Sequence, residues 1–490
     1  MRDIVFKAIN QTPFNVRRSV LLSCLCIQLS FAQPNPKDII TKDQALTDLK
    51  VLEISLREIH PSFYRYTTKT EFDIAFANAR SHINGNISLI EFTNLVAPIV
   101  AMIRCGHTHT LIPYVTSRSK FFPADVKVIS NRLFVLYDYS AKKIPGGSEV
   151  IEINGISTQE ILNSLSSRTN ADGYGQNFKD RVIEQGFAGN YAAYFSQPDS
   201  FSVKLSVGEE IRAVTLPALS GESINKEKAK RNLGSEKLVS FEVDHENNVG
   251  ILKIRTFFSK KVKQQSGQNL KRFIRKSFRK LNNEKVANLI IDIRRNTGGR
   301  VAIPPLLFSY FTDEDFKFRN RLLFRHGYKF SYPQYLNRNK LNDWVNRKLD
   351  RKINDTTYEW TLHRNTKPYK ARKTKYAGKL FIIINGMTTS AATEFASLLY
   401  ANNKGTFVGE ESGGDYNGVN GFDQTYLRLP NSGVGVLIAG WRSVMNWDNN
   451  QLIGHGIPPT YLIRPTIEDM LNGRDAEMAF IYDLIKKQKN

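Results

Sequence analysis

Cysteine is scarce: Cys24, Cys26 and Cys105 are the three in 490 residues. The first two sit in an N-terminal apolar stretch, so a chain relieved of that stretch keeps Cys105 alone and closes no internal disulfide. A disulfide-stapled fold is thereby excluded. Long hydrophobic runs are also missing. The stretch from Ser19 to Phe31 holds about a dozen residues against the ~20 that span a bilayer, and nothing later is long and uncharged enough to do so. Neither a low-complexity tract nor a short-period repeat occurs, which sets aside disorder and solenoid architectures. Phosphate-binding glycine patterns and nucleic-acid-binding motifs are absent as well, so no nucleic-acid partner and no cofactor are expected.

What the sequence does have is length, apolar content and positive charge. With 41% hydrophobic and 23% charged residues its composition is globular, and a chain of this length outgrows one hydrophobic core, so two or three domains are expected. Arg17 and Arg18 ahead of the apolar stretch, and Ser30-Phe31-Ala32 at its end, have the form of a secretory signal over residues 1–32. Cleavage after Ala32 fits better than a lipoprotein signal at Cys24, because the run before Cys24 is very short and Leu22 is an unusual residue there. An exported protein is expected, periplasmic or extracellular, and the lack of a disulfide suits a bacterial envelope. Residues 1–32 carry four basic side chains and one acidic, so their removal lowers the net charge from +23 to +20. That excess favours acidic partners or an anionic envelope surface.

Residues 33–115 read as a helical N-terminal region. Leu46, Leu49, Leu52, Ile54 and Leu56 recur ahead of a break at Pro61, and Phe72, Phe76 and Ala79 continue the pattern. Alternation begins at Thr108 to Ile112, and 118–218 read as a β module with strands at Val126 to Ile129 and Arg132 to Tyr137. Glu222 to Lys237 reads as a polar linker. Within 236–470, Val249 to Ile254, Leu289 to Ile293 and Leu380 to Ile384 are buried-type strands between helical patterns, the signature of an α/β domain, and 471–490 close the chain as a helix. Lys260 to Lys280, with Leu270, Phe273, Ile274 and Phe278 at helical spacing, reads as an amphipathic helix with a solvated cationic face. The segment from Val301 to Gly378, rich in aromatics and arginine, is expected to elaborate the site.

Two strand-to-loop junctions can carry chemistry. Leu380 to Ile384 runs through Asn385-Gly386-Met387-Thr388-Thr389 into Ser390-Ala391-Ala392-Thr393-Glu394, which puts Ser390 at a helix N-terminus, where free amides and the helix dipole stabilise an oxyanion. A serine so placed is more often a simple cap. The second junction, Asp292-Ile293-Arg294-Arg295-Asn296-Thr297-Gly298-Gly299, ends in paired glycines that let backbone amides approach a substrate carbonyl. In the β module, Ile144-Pro145-Gly146-Gly147-Ser148-Glu149-Val150-Ile151-Glu152-Ile153-Asn154-Gly155, followed by a helix from Thr158 to Leu165, resembles the central segment of a PDZ domain, which holds peptide ends by strand addition.

With Val408-Gly409-Glu410-Glu411-Ser412-Gly413-Gly414 downstream, the two junctions resemble the tail-specific, or C-terminal-processing, serine peptidase family across about Phe241 to Ile463. The resemblance implies an α/β multi-domain fold: a helical N-terminal region, a PDZ-like module, and a catalytic domain of the ClpP/crotonase-like type. It also implies Ser390 as nucleophile and an oxyanion hole from Gly298 or Gly299 with the amide of Ala391. The lysine base of the processing branch has no counterpart, because the loop after Val-Gly-Glu reads Gly413-Gly414-Asp415-Tyr416. Ile103-Arg104-Cys105-Gly106-His107-Thr108 is similar instead to the Asp-Gly-His-Thr signature of the tricorn-like branch, with Cys105 in place of the aspartate. His107 is then the general base, a task that suits an imidazole of pKa about 6.5. The late glutamate of that branch is missing, since Gly454-His455-Gly456-Ile457-Pro458-Pro459 follows Ile453. Asp448 is the nearby acid that could orient the imidazole, although an acid in such a stretch is more often a turn former.

The expected activity is hydrolysis of peptide bonds in exported or envelope polypeptides through a Ser390 acyl-enzyme. The alternative is a catalytically weak or inactive peptide-binding protein of the same fold, motivated by the absent lysine and glutamate and by Cys105. His107 and His109 share a strand face and, with His455, could hold zinc; the serine mechanism requires no metal, and none is expected.

Overall fold

The computed structural model describes residues 38–487 apart from 117, 232–235, 326–328, 339–342, 344–349, 362 and 448–450. The expected signal at 1–32 and Asp448 lie outside the described residues. Among the described residues no helix is long and apolar enough to cross a membrane.

A mixed sheet forms the centre of the α/β domain, in the order Val239–Asp244, Val249–Ile254, Asn288–Asp292, Lys379–Ile384, Thr406–Gly409, Tyr461–Leu462. The first pair is antiparallel and the others are parallel. Its inner strands are continuous apolar runs because both faces are covered. Leu289, Ile291, Ile382 and Ile384 share one core with Ile274 and Phe278 of the helix Leu270–Asn283 and with Phe395 of the helix Ala391–Ala401. Ile290, Phe381 and Ile383 point the other way, onto Ile481 and Ile485 of the helix Ala476–Lys487. Odd and even positions therefore serve opposite faces, as the two-residue period of a strand dictates.

A second, wholly antiparallel sheet runs Glu210–Pro217, Ser200–Val207, Glu149–Ile153, Arg132–Asp138, Ala124–Ile129, with Ile156–Ser157 off its third strand. The helices Thr158–Arg168 and Gln176–Tyr194 share its core through Ile161, Leu165, Ile183 and Phe187.

Three further helices, Lys42–Ile59, Lys69–His82 and Leu89–Ala101, each start on a reciprocal capping box, at Thr41/Gln44, Thr68/Glu71 and Ser88/Glu91. Their core is not their own. Leu427, Leu429, Val434, Val436 and Ile438 of a hairpin more than three hundred residues later complete it. Buried Asp48 ties the helices to that hairpin by accepting from the amides of Asn431 (3.0 Å) and Ser432 (2.7 Å).

The structure departs from the sequence reading in several places. The alternation at Thr108 to Ile112 does not open the β module: its strand, His109–Leu111, pairs with Gly435–Ile438. The stretch read as a linker contains the helix Gly221–Lys230, capped by Ser220 and anchored by buried Ile224. The basic stretch at 260–280 is two helices, Ser259–Ser266 and Leu270–Asn283, because Gly267 adopts φ 68 and ends the first while Asn269 caps the second. In the segment from Val301 to Gly378, Arg319–Arg325 pairs with Thr357–Trp360 on one side and Trp441–Met445 on the other.

Candidate active site

The two junctions meet at the carboxyl ends of neighbouring parallel strands, the edge of an open α/β sheet where ligands bind. Ser390 stands at the head of the helix Ala391–Ala401 with φ 55 and ψ −129, and its side chain caps nothing. That backbone is costly for any residue with a Cβ, on the order of 1–3 kcal/mol, and persists only where the surroundings impose it. They do so here: the Thr389 amide donates to Asn296 O (3.1 Å), the Thr388 hydroxyl to Ile293 O (3.0 Å), and the Glu394 amide to Ser390 O (3.0 Å).

The glycine loop lies directly against the serine. A methyl on Gly298 would sit 2.8 Å from the Ala391 nitrogen and 3.1 Å from Ser390 Oγ, and Gly298 itself has φ 88, so only glycine fits. Buried Asn296 shapes this loop, donating to Ile254 O (2.9 Å) and accepting from the Gly298 amide (2.9 Å). The Gly298 N–H is thus engaged, whereas those of Gly299 and Ala391 donate to no other group among the described residues. Of the two glycines, Gly299 is the one with an amide left for an oxyanion.

His107 comes from the far N-terminal side of the chain. Its neighbour Gly106 faces Phe178, since a methyl there would lie 3.7 Å from the ring; a methyl on Gly413 would lie 2.9 Å from the same ring and 2.9 Å from Thr389. The Phe178 ring and Gly413 therefore lie between the residue before His107 and the residue before Ser390. The imidazole lies beside Gly421, where a methyl would sit 3.7 Å from Nε2. Burial, with His109 adding to it, pushes its pKa down to about 4, and its buried Nδ1 has no hydrogen-bond partner. Cys105 is buried, with its thiol pushed up to about 12 by that burial; Asp172 stands close by instead, accepting from the Gly106 amide (2.8 Å). Burial raises the Asp172 carboxyl to about 7.

Asp415, in the loop that lacks a lysine, is buried and occupied: it accepts from the Tyr66 hydroxyl and from the Asn417 amide (2.7 Å), and pairs with Arg65 (3.3 Å). His455 faces Glu411 and Tyr174, and among the described residues no group of three His, Cys, Asp or Glu side chains stands together to hold a metal.

Sequence reasoning missed a buried anchor behind the nucleophile. Glu394, one turn beyond Ser390, accepts from Nε (3.0 Å) and Nη2 of fully buried Arg319 and from the Ser443 hydroxyl (2.8 Å). Nothing local marks Arg319, which lies 75 residues upstream in the segment from Val301 to Gly378. A cleft of about 1280 Å³ opens beside Arg295, Asn385 and Met387, walled on the other side by the antiparallel sheet and the helix Gln176–Tyr194. On that wall the exposed edge of the strand Ala124–Ile129 is capped by side chains: Glu184 accepts from the Val128 amide (2.9 Å) and Arg181 donates to its carbonyl (3.3 Å).

Residues 248–463 match the model of peptidase family S41. Among solved structures, the chain is similar to mature CPAF, with 17% identity, a TM-score of 0.63, and coverage of 91% of this chain and 97% of that one. It is similar also to mature CPAF complexed with lactacystin, at 16% identity and a TM-score of 0.62, covering 91% and 98%. These likenesses establish the fold over nearly the whole length. Residues 248–463 are thus similar to the domain that this family's model describes, a little under half of the chain.

Proposed function

We propose that this peptidase domain hydrolyses exported or envelope polypeptides through an acyl-enzyme on Ser390, with His107 as general base. The observation that carries the reading is the strained Ser390 backbone, pressed against Gly298 at the head of a helix. Ser390 Oγ attacks the scissile carbonyl carbon while His107 takes the hydroxyl proton. The amides of Ala391 and Gly299 receive the oxyanion, and His107 returns the proton to the departing amine. Water then attacks the ester by the same route and releases Ser390. The loop after Val408-Gly409-Glu410 offers no lysine, its Asp415 being held by Arg65 and Tyr66, which favours the imidazole for this role. The antiparallel module acts as a PDZ-like holder of peptide ends, the incoming strand replacing Glu184 and Arg181 at Val128. The signal-like N-terminus and the net charge of +23 support export and an anionic envelope setting.

The test is a fluorophosphonate that labels an activated serine, together with hydrolysis of a mixed peptide library, both read by mass spectrometry. Labelling at Ser390, and cleavage lost in Ser390→Ala and in His107→Ala, are expected. The partnerless Nδ1 of His107 favours a second reading, a catalytically weak peptide-binding protein; peptides bound without labelling or turnover would establish it.

A further inference from the structure

A second groove, of about 890 Å³, lies on the other flank of the glycine loop. Its floor is the helix Leu270–Asn283, whose Lys271, Arg275 and Arg279 stand four residues apart in one stripe. Its opposite wall is the stretch 363–374, which contributes Arg364, Arg372 and Lys373. No Asp or Glu lines it, and among the described residues Lys271, Arg275, Arg279, Arg372 and Lys373 have no ion pair. Burial and the nearby Arg300 and Arg275 push the Lys271 ammonium down, as expected of cations facing one another without a counter-charge.

The walls are rigid where the charges are mounted. Phe278 stacks on Tyr310 with ring centroids 3.9 Å apart, Arg372 lies over Tyr310 (5.1 Å), and Arg364 lies over Tyr369 (4.2 Å). The groove is also continuous with the catalytic loop. Val301, two residues beyond Gly299, lines it, and Asn365 donates to the Val301 carbonyl (3.3 Å).

We infer that this groove is an exosite for an acidic segment of the polypeptide substrate, held by Lys271, Arg275, Arg279 and Arg372 while a more distant bond lies at Ser390. The inference rests on the reading of the domain as a peptidase acting on polypeptides. A groove that runs to the residues just beyond the glycine loop suits an extended acidic chain that continues toward Ser390. The charges are mounted on a stripe and a facing wall, so an extended chain can meet several of them in turn.

The experiment measures binding without turnover. The chain carrying Ser390→Ala is titrated into fluorescein-labelled decaglutamate and followed by anisotropy. Saturable binding that weakens as ionic strength rises from about 0.05 to about 0.5 M is expected. Adding Arg275→Glu and Arg279→Glu should weaken it about tenfold or more, while Lys486→Glu with Lys487→Glu, the same change of charge on the C-terminal helix, should change it less than about twofold. Arg275→Ala with Arg279→Ala, a milder pair, guards against misfolding and should fall between. The inference is overturned if decaglutamate does not bind, if both glutamate pairs weaken it alike, or if the groove pair spares decaglutamate and abolishes binding to phosphatidylglycerol vesicles. Failure of the peptidase reading appears elsewhere, as an unlabelled Ser390, so the two results are separable.

Discussion

Ser390 and His107, the proposed nucleophile and base, are positioned by opposite routes. The serine is placed by its own neighbourhood: a buried strand, a turn locked by Thr388 and Thr389, and a glycine loop on the adjacent strand. The histidine is placed by a long detour, through a strand that pairs with Gly435–Ile438 and helices that complete their core on the same hairpin. One half is over-determined, down to the single methyl that Gly298 cannot carry. The other half has slack, and it shows in an imidazole whose Nδ1 has no partner. Both segments hold a non-glycine residue at positive φ, Ser390 at 55 and Arg104 at 55, and at Ser390 the surrounding bonds hold it in place.

The largest test of that contrast is to remove each half in turn. Ser390→Ala and His107→Ala should each lower kcat by roughly 10⁴-fold, because members of a nucleophile-base pair act as a unit. Equal losses measured on one peptide would make the halves equivalent in chemistry despite their unequal support. A loss below about tenfold for His107→Ala would leave the serine half working with another base.

The next test loosens the rigid half from behind. Arg319→Ala leaves buried Glu394 without its ion-pair partner, and stranding a buried charge costs about 3–5 kcal/mol. Urea unfolding should read that loss, and Arg319→Met, which keeps the volume, should not recover it because Glu394 stays unpaired. Gly298→Ala is subtler. Its methyl would press on the Ala391 nitrogen at a positive φ, so kcat should fall about 10²–10³-fold, the scale of one oxyanion donor misplaced, with unfolding shifted far less than by Arg319→Ala.

Legibility followed the same division. The junctions at Ser390 and Gly298-Gly299, and the strands that carry them, could be read because strand, turn and helix signals are local and contiguous. The choice between Gly298 and Gly299 could not, because it depends on Asn296 capturing one amide from two residues away. The pairing of His109–Leu111 with Gly435–Ile438 was hidden for a different reason: alternation announces a strand but not its partner. The Arg319–Glu394 anchor joins residues 75 positions apart with no local pattern. Gly267 was visible, yet inside a run of basic and apolar residues it did not outweigh the helical period; its φ of 68 splits the run.

The smallest effect, a displaced pH limb, sharpens the contrast most. A solvated imidazole would lose its base form near pH 6.5, but burial moves the His107 pKa to about 4, so the neutral form should persist well below 6. Fluorophosphonate labelling of Ser390 between pH 4 and 8 should therefore stay flat until close to 4. Stability must be followed alongside, because several groups act on it, His363 and Asp350 among them. His107 and His60, the latter pushed to about 3 by burial and Arg325, stay neutral in the fold while the unfolded chain takes up protons below 6.5, so their contribution is lost as pH falls from there. Asp172 works in the opposite sense: with its folded pKa near 7, above the ordinary carboxylate value, the fold binds a proton first and gains relative stability as pH falls from 7. A labelling limb near 4 with near-ultraviolet circular dichroism unchanged would belong to His107. A limb near 7 would instead implicate Asp172, whose carboxyl accepts from the Gly106 amide next to His107.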